Sequence, residues 1–315
     1  MAAPTNTFQT YDAVGNREDL SNIIFDISPT ETPILTSIGK NKATATKHEW
    51  QTRALTAASG TNKNIEGADA STDAANVSTR VYNYRQISDK VVRVSGTQEK
   101  VDSAGRASDM ADQMEDKMKE LKRDVETTLA QNVASDVGTD TRAPTCAGLQ
   151  TWILTNTDIA SDATAATGDG TDAHTDGTAR ALTESMFETV LASAWTNGGM
   201  PSMGVMNAFQ KRKIATFSGN STPQSDSENR KVVNTVDVYI DPLGNEVNLV
   251  PDRFVPTDVV YFIDPEYLKF STLRDFSTWD LAKTGDSERK QILVEYTLEV
   301  CNQKAHAGIY DLSAS

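Results

Sequence analysis

Apolar residues form one long stripe at helical spacing in the first half of the chain. The stripe consists of Met110, Met114, Met118, Leu121, Val125, Leu129 and Val133. This spacing predicts a helix over about 108–134 with a single apolar face, which must pack on one sheet or layer. Ser108 or Ser103 is the predicted N-cap, and Asp109 and Asp112 lie at the start, where carboxylates interact favourably with the helix dipole.

Alternating apolar and polar residues predict strands on both sides of this helix. Two strands precede it, over 43–55 and 79–95. Two shorter helices follow it, the first over 183–196 with Met186, Phe187, Val190, Leu191 and Trp195 on one face, the second from an N-cap at Asn207 to about 217. The remainder is rich in strands: a hairpin over 236–249, a buried strand over 259–263, and strands over 291–300 and 304–312 on either side of a hairpin turn at Asn302-Gln303.

Three segments are poorly suited to forming a core of their own. Residues 56–78 contain only Ile65 and Val77 as large apolar residues, so this segment cannot offset its ordering entropy unless a neighbouring molecule orders it. Residues 155–181 carry five aspartates and are predicted to be a long exposed loop. Residues 1–42 carry several apolar residues, and the prolines at 29 and 33 force the preceding residues toward extended geometry, which indicates an arm that lies on another surface.

Charge excludes non-specific binding to nucleic acid. The 315 residues include 30 Lys and Arg against 44 Asp and Glu, a formal net charge of -14. The densest basic cluster is only Lys211-Arg212-Lys213, whereas affinity for phosphate backbones needs many cations. We find no secretory signal and no apolar run near the ~20 residues of a membrane span. The protein is therefore expected to stay in a cytosol, with Cys146 and Cys301 reduced.

No catalytic or metal-binding motif stands out. The three histidines are widely spaced, and no P-loop or dinucleotide fingerprint occurs. The stretch Asp172-Ala173-His174-Thr175-Asp176-Gly177 begins like a calcium loop, but Thr183 stands where a glutamate is needed, which favours a solvated acidic loop. Cys301 and His306 are predicted to be structural. An arm and a projecting loop without a core suit interlocking with copies of the same chain, so assembly is the expected function.

The order of arm, projecting loop, long helix and mixed helix-and-strand body resembles that of the major capsid proteins of tailed bacteriophages, which have the Hong Kong 97 fold. The resemblance covers nearly the whole chain. Its most specific stretches are Ser28-Pro29-Thr30-Glu31-Thr32-Pro33, Ser37-Ile38-Gly39-Lys40, His48-Glu49-Trp50-Gln51, Ala194-Trp195-Thr196-Asn197-Gly198-Gly199 and Asn302-Gln303-Lys304-Ala305-His306. None of these is a catalytic motif, so the resemblance implies a structural protein rather than an enzyme, without cofactor or metal.

The resemblance implies an α+β fold with five regions. These are an N-arm over 1–42, an extended β-hairpin loop over 43–95, a peripheral domain with a spine helix over 96–140, an axial domain over 141–265, and peripheral return strands over 266–315. The extended loop would reach onto a neighbouring subunit. The expected assembly contacts are Ile65, Lys63, Glu66, Tyr82, Tyr84, Phe25 and Ile34.

The implied function is the icosahedral head, built from pentamers and hexamers, that encloses phage double-stranded DNA without sequence-specific binding. The implied partners are the chain itself, a separate scaffolding protein, a portal protein and a decoration protein, with no membrane. The locations would be the virion capsid and, during assembly, the host cytoplasm. Some members cross-link a loop lysine to an asparagine; the context of Lys63 and Asn302 does not support this link, and non-covalent assembly is expected.

Three alternatives stay open on the sequence alone. A nanocompartment shell has the same fold but encloses enzymes. A carboxylate-based hydrolase would need a catalytic constellation that the sequence does not display. A secreted surface-layer or adhesin subunit would need a secretion signal.

Overall fold

The computed structural model describes residues 31–69, 72–101, 107–217, 224–226, 231–233 and 237–314. The helices are α1 Pro33–Ser37, α2 Gly96–Lys100, α3 Asp109–Ala130, α4 Glu184–Thr196 and α5 Ala208–Ile214. The strands are β1 Gly39–Lys42, β2 Lys47–Thr52, β3 Thr79–Tyr84, β4 Gln86–Ser95, β5 Thr157–Asp158, β6 Met203–Met206, β7 Gln224–Asp226, β8 Lys231–Val233, β9 Val238–Ile240, β10 Glu246–Pro251, β11 Val260–Ile263, β12 Leu268–Asp280, β13 Ser287–Val300 and β14 Ala307–Ile309.

Two sheets carry most of the core. One has four strands in the order β1-β12-β13-β4, and the other has six in the order β5-β14-β11-β6-β10-β9. The predicted buried strand is β11, at the interior of the six-stranded sheet, and all four of its residues are buried. Side chains of both sheets and of α3 form one apolar cluster, while α4 and α5 cover the six-stranded sheet with a second. This mixture of helix and sheet confirms the α+β prediction.

The predicted long helix is confirmed as α3, although it ends at Ala130, about four residues earlier than expected. Ser108 is its N-cap, and the Ser108 hydroxyl accepts a hydrogen bond from the amide of Ala111. The final carbonyl of the helix, that of Ala130, accepts a hydrogen bond from Tyr261 Oη on β11. Asn132 lies outside the helix because its side-chain amide pairs with the backbone of His174, at 2.7 and 2.9 Å. Tertiary contacts therefore end the helix before its apolar pattern does.

The predicted C-terminal hairpin is wrong. β13 pairs with β12 and β4, whereas β14 crosses to the six-stranded sheet and lies between β5 and β11. A short 3-10 turn separates the two strands, and the Asn302 side chain caps it by accepting from the amide of Lys304. His306 fixes the crossing, because its Nδ1 accepts a hydrogen bond from the amide of Asp264. Residues 266–315 therefore contribute to both sheets rather than returning to one.

The acidic segment 155–181 has little regular structure and many exposed residues, as its composition predicts, but it is not a free loop. Asp311, just after β14, fastens it to the body. Asp311 accepts hydrogen bonds from the amides of Ala160 and Gly177, and its Oδ1 lies 3.1 Å from Nε2 of the buried His174. The Asp311 backbone has a φ of 59°, an unusual conformation for a residue other than glycine, which these side-chain bonds hold in place. Sequence reasoning missed this because Asp311 lies 134 to 151 residues away from these partners.

The apolar residues of α4 and β9 are not all on the buried side of these elements. Trp195 on α4 is 57% exposed, and Ala194 takes the buried position next to it. In β9 the residue that packs inward is Tyr239, whose ring contacts that of Phe187, whereas Val238 and Ile240 face solvent. β9 is an edge strand, so side chains on its outer face have no neighbouring element to cover them.

A buried pair of carboxyl groups fastens the start of the described chain to α3. Glu126 on α3 is fully buried and accepts hydrogen bonds from the amides of Ile34 and Leu35 at 2.6 and 2.8 Å. It also faces Asp252, whose Oδ2 is buried without a hydrogen-bond partner among the described residues. Burial raises the pKa of Glu126 to about 8, and the charge of Asp252 contributes to this increase. The two backbone hydrogen bonds lower the pKa but do not offset the effect of burial. One proton shared between the two carboxyl groups satisfies the unpartnered oxygen.

This pair predicts a stability that falls with increasing pH. The unfolded chain loses the Glu126 proton near its ordinary pKa of 4.5, whereas the folded chain keeps it to about pH 8, so the free energy of unfolding decreases between these values. Asp252→Asn places an amide donor against Glu126 and removes the repulsion, and we expect its Tm to exceed that of the unchanged protein at pH 9 more than at pH 5. The exposed Asp275→Asn is the control. Parallel Tm profiles for Asp252→Asn and the unchanged protein would contradict the shared proton.

Candidate assembly surfaces

An extended hairpin projects from the body, as the sequence predicts. Its two strands, β2 and β3, pair antiparallel from Lys47 opposite Tyr84 to Thr52 opposite Thr79. Neither strand joins the two larger sheets. The hairpin therefore depends on side chains at its base to hold its direction.

Two side chains at the base anchor the hairpin to β13. The indole Nε1 of Trp50 donates a hydrogen bond to the carbonyl of Val300 at 2.9 Å, and its ring centroid lies 5.4 Å from that of Trp152. Asn83 is fully buried and donates to the carbonyl of Leu298 at 2.8 Å, while its own oxygen accepts from the amide of Ala147. Both strands of the hairpin are thus tied to the C-terminal end of β13.

The Glu299 carboxylate is the polar centre of this base. It lies 3.0 Å from His48 Nε2 and accepts hydrogen bonds from Asn41 and Ser271 at 3.0 and 3.1 Å, with Lys269 Nζ at 3.4 Å. Burial alone would raise the pKa of this carboxyl, but the hydrogen bonds from His48 and Asn41 and the charge of Lys269 hold it well below its usual range. The carboxylate therefore stays ionised and joins β1, β2, β12 and β13 at one point.

The hairpin tip, defined here as residues 53–78, has no regular structure in its described part. Its large apolar side chains are exposed: Leu55 by 81%, Ile65 by 83% and Val77 by 83%. Lys63 and Glu66 are exposed as well. A turn shapes the centre of the tip, where the Ala68 amide donates to the Ile65 carbonyl at 3.1 Å and Gly67 takes a φ of 81°. Of the sequence-predicted contacts, Ile65 and Glu66 thus lie in one accessible turn, and Lys63 lies two residues before it.

The other expected contacts lie in different surroundings. Tyr82 and Tyr84 are half-buried on β3, with ring centroids 5.6 Å apart, and Lys47 Nζ lies 3.9 Å above the Tyr82 ring. Phe25 lies outside the described residues. Ile34 is only 2% exposed and belongs to the core of its own chain, so as an assembly contact it was predicted wrongly. Its place on α1 above Glu126 explains its burial.

Sequence reasoning missed several exposed apolar side chains. They lie on the β9–β10 hairpin, around the end of α4, and on β12: Val238, Ile240, Leu243, Trp195, Met200 and Trp279. Helical or alternating spacing shows that such residues share a face, but not whether another element of the same chain covers that face. Exposed apolar patches of this kind are typical of protein–protein contacts.

The described residues offer little for catalysis. Cys146 and Cys301 are free thiols, and burial raises the pKa of Cys146 to about 11, which keeps it unreactive. Cys301 Sγ contacts Glu299, whereas burial lowers the pKa of His306 to about 4 and its Nδ1 is engaged with Asp264, so the two residues have separate partners. Both contacts agree with structural roles.

One group of side chains in the described ranges could hold a metal ion. It consists of His174, Asp176 and Asp311, whose ligand atoms lie within 4.8 Å of one another. Both oxygens of Asp311 already accept backbone hydrogen bonds, which favours a structural cross-link between segment 155–181 and the C-terminus. Among the described helices, none combines the length and apolar character needed to span a membrane.

Comparison with known proteins identifies the family. The family model of the SU10 major capsid protein matches residues 3–313. The major capsid protein of Escherichia phage Phieco32 is 27% identical, with 98% of each chain covered.

Solved structures show the same fold. The capsid asymmetric unit of cyanophage A-1(L) superposes with a TM-score of 0.66 at 12% identity, covering 98% of this chain and 99% of that one. A phage G structure of major capsid and decoration proteins gives a TM-score of 0.54 at 11% identity, covering 99% and 100%. These similarities confirm the Hong Kong 97-type fold, and the relatives are phage capsid proteins, which favours a phage head over a nanocompartment. The chain belongs to the SU10 major capsid protein family, whose members are structural proteins of the phage shell.

Proposed function

We propose that this chain assembles into the pentamers and hexamers of an icosahedral head that encloses phage double-stranded DNA. The observation that carries the proposal is the hairpin tip, which exposes its large apolar side chains on a firmly anchored base. The chain itself does not cover these apolar side chains, and the anchored base fixes where they lie. Each copy can therefore make a defined contact with the next. The tip therefore reaches onto a neighbouring subunit.

The regions of the fold take the following roles in this proposal. Residues 1–42 are the N-arm, and 43–95 are the extended loop, whose last strand, β4, also joins the four-stranded sheet of the peripheral domain. The four-stranded sheet and α3 make the peripheral domain. The six-stranded sheet makes the axial domain, and it includes β14 because that strand pairs with β11. The exposed apolar edge strand β9 faces other copies around the capsomer axis.

Partners follow from the same role. A separate scaffolding protein guides assembly, a portal protein occupies one vertex, and assembly takes place in the host cytoplasm. A decoration protein binds the outer surface, as the phage G structure contains one beside its major capsid proteins. Subunits join without covalent cross-links, because the Asn302 side chain is engaged in capping its own turn.

The net charge suits a container for DNA. A protomer with a formal charge of -14 releases few counterions when it meets a phosphate backbone, so dense DNA does not adhere to the shell. The short basic cluster on α5 is partly engaged, since Lys211 Nζ donates to the carbonyl of Leu249.

Deleting residues 60–73 tests the role of the tip. We expect the variant to keep its helical circular dichroism and its Tm, because the described part of this segment contributes no buried side chain, while it loses assembly into large particles in sedimentation. A loss of folded protein would contradict the proposal, because it would show that the tip belongs to the subunit core.

The charge argument predicts that the protein does not bind DNA. In a mobility-shift assay with double-stranded DNA at low ionic strength, we expect no complex at protein concentrations that allow assembly. A complex that dissociates with added salt would contradict the argument, because that dependence reports neutralised phosphates.

A further inference from the structure

One histidine and three carboxyl groups meet where the acidic segment 155–181 contacts the C-terminal end of the chain. His174 and Asp176 belong to that segment, Asp311 follows β14, and Asp258 stands two residues before β11. Nε2 of His174 lies 3.1 Å from Oδ1 of Asp311 and 3.9 Å from Oδ1 of Asp176. Asp258 is near enough for the charges of Asp176 and Asp311 to act on its carboxyl group. Side chains from three separate parts of the chain therefore converge here.

This cluster carries negative charge that its surroundings do not neutralise. Among the described residues, no lysine or arginine forms an ion pair with Asp176, Asp258 or Asp311. The side chains of His174 and Asp311 are fully buried and Asp258 is half-buried, so water screens these charges weakly. Carboxylates are buried at a large cost in free energy unless a cation accompanies them. The cluster therefore favours the binding of a cation.

The separations between the side chains match those between ligands of one metal ion. Two ligand atoms that each lie about 2.1 Å from a tetrahedral ion are about 3.4 Å apart. The distances from His174 Nε2 to the oxygens of Asp311 and Asp176 lie on either side of this value. The three ligand atoms all lie within 4.8 Å of one another. Small rotations of the side chains are thus enough to bring all three onto one ion.

The hydrogen bonds in the cluster leave these ligand atoms able to bind a metal. Asp311 accepts from the amides of Ala160 and Gly177, but each oxygen of an ionised carboxylate has two lone pairs, so Oδ1 keeps one. Nδ1 of His174 is buried without a hydrogen-bond partner in the described ranges, so no donor keeps the ring proton off this atom. With the proton on Nδ1, the lone pair of Nε2 points toward the carboxylates, and a cation between them makes this arrangement favourable.

Backbone hydrogen bonds hold the ligands in place. The side chain of Asn132 pairs with the amide and the carbonyl of His174, at 2.9 and 2.7 Å. The bond from the amide of Gly177 to Asp311 fixes the residue that follows Asp176. Ligands that are positioned in advance lose less entropy on binding. The Asp176 side chain is 66% exposed, which gives an ion access from solvent.

We propose that His174, Asp176 and Asp311 bind a divalent transition-metal ion of the Zn²⁺ type, with Asp258 supplying further negative charge. An imidazole nitrogen combined with carboxylate oxygens suits Zn²⁺, whereas Ca²⁺ and Mg²⁺ prefer oxygen ligands alone. The ion joins segment 155–181 to the end of β14 within one chain. The site is therefore independent of the proposed assembly.

Calorimetric titration of the EDTA-treated full chain with Zn²⁺ tests the site. We expect one Zn²⁺ per chain and a higher Tm with Zn²⁺ than with EDTA, because the ion binds the folded arrangement. Asp176→Asn should weaken binding by more than about tenfold, since it removes a ligand, and its exposure allows the fold to persist. The matched control is Asp172→Asn, which removes the same charge from the same segment outside the cluster and should bind as the unchanged protein does. Absence of Zn²⁺ binding, or equal affinities of the two variants, would overturn the proposal.

Hydrogen exchange of the unchanged protein locates the ion without any substitution. Zn²⁺ should slow the exchange of the amides of residues 174–178 and 310–312, because these flank the ligands, whereas Ca²⁺ should not. Slowing that is confined to other parts of the chain would place the ion elsewhere and overturn the site. An equal effect of Ca²⁺ would show that the histidine nitrogen is not a ligand and would overturn the assigned class of ion.

Discussion

The structure depends on one constraint: the hairpin tip cannot bury its own apolar residues. A segment of this length without a core has no stable conformation in isolation, because apolar burial must offset its conformational entropy. The base of the hairpin, by contrast, is firmly held. Trp50 and Asn83 donate hydrogen bonds to backbone carbonyls of β13, and Glu299 accepts hydrogen bonds from side chains of several strands. The apolar side chains of the tip therefore stay exposed in the isolated subunit and can be buried only by a neighbouring subunit.

Two other segments of the body are also held by hydrogen bonds to a single side chain. Glu126 holds the start of the described chain on α3, and Asp311 holds segment 155–181 on the six-stranded sheet. In each case one carboxyl group accepts hydrogen bonds from two backbone amides of a segment that is distant along the chain. Polar anchors of this kind fix a segment's position without a large core, and they suit a protein whose surface must repeat identically in many copies.

Much of the fold could be predicted from local pattern, and the rest depends on distant partners. The stripe of α3, the Ser108 cap and the buried strand β11 are encoded within one element each, so the sequence predicts them well. The end of α3, the crossing of β14 and the burial of His174 are decided by hydrogen bonds of Asn132 with His174, of Asp264 with His306 and of His174 with Asp311, whose partners lie 42 to 137 residues apart. The exposure of Ile65 could be predicted because its whole neighbourhood along the chain is polar, whereas the burial of Ile34 could not, because its partner Glu126 is 92 residues away.

Hydrogen exchange of the tip amides, compared between unassembled protein and purified particles, measures whether a neighbouring subunit orders the tip. We expect residues 53–78 to exchange rapidly in the unassembled subunit and to become protected in the particle, while β13 is protected in both, because the tip gains its contacts only from a neighbour. Equal protection of the tip in both states would contradict the account, since it would mean that the subunit orders this segment by itself.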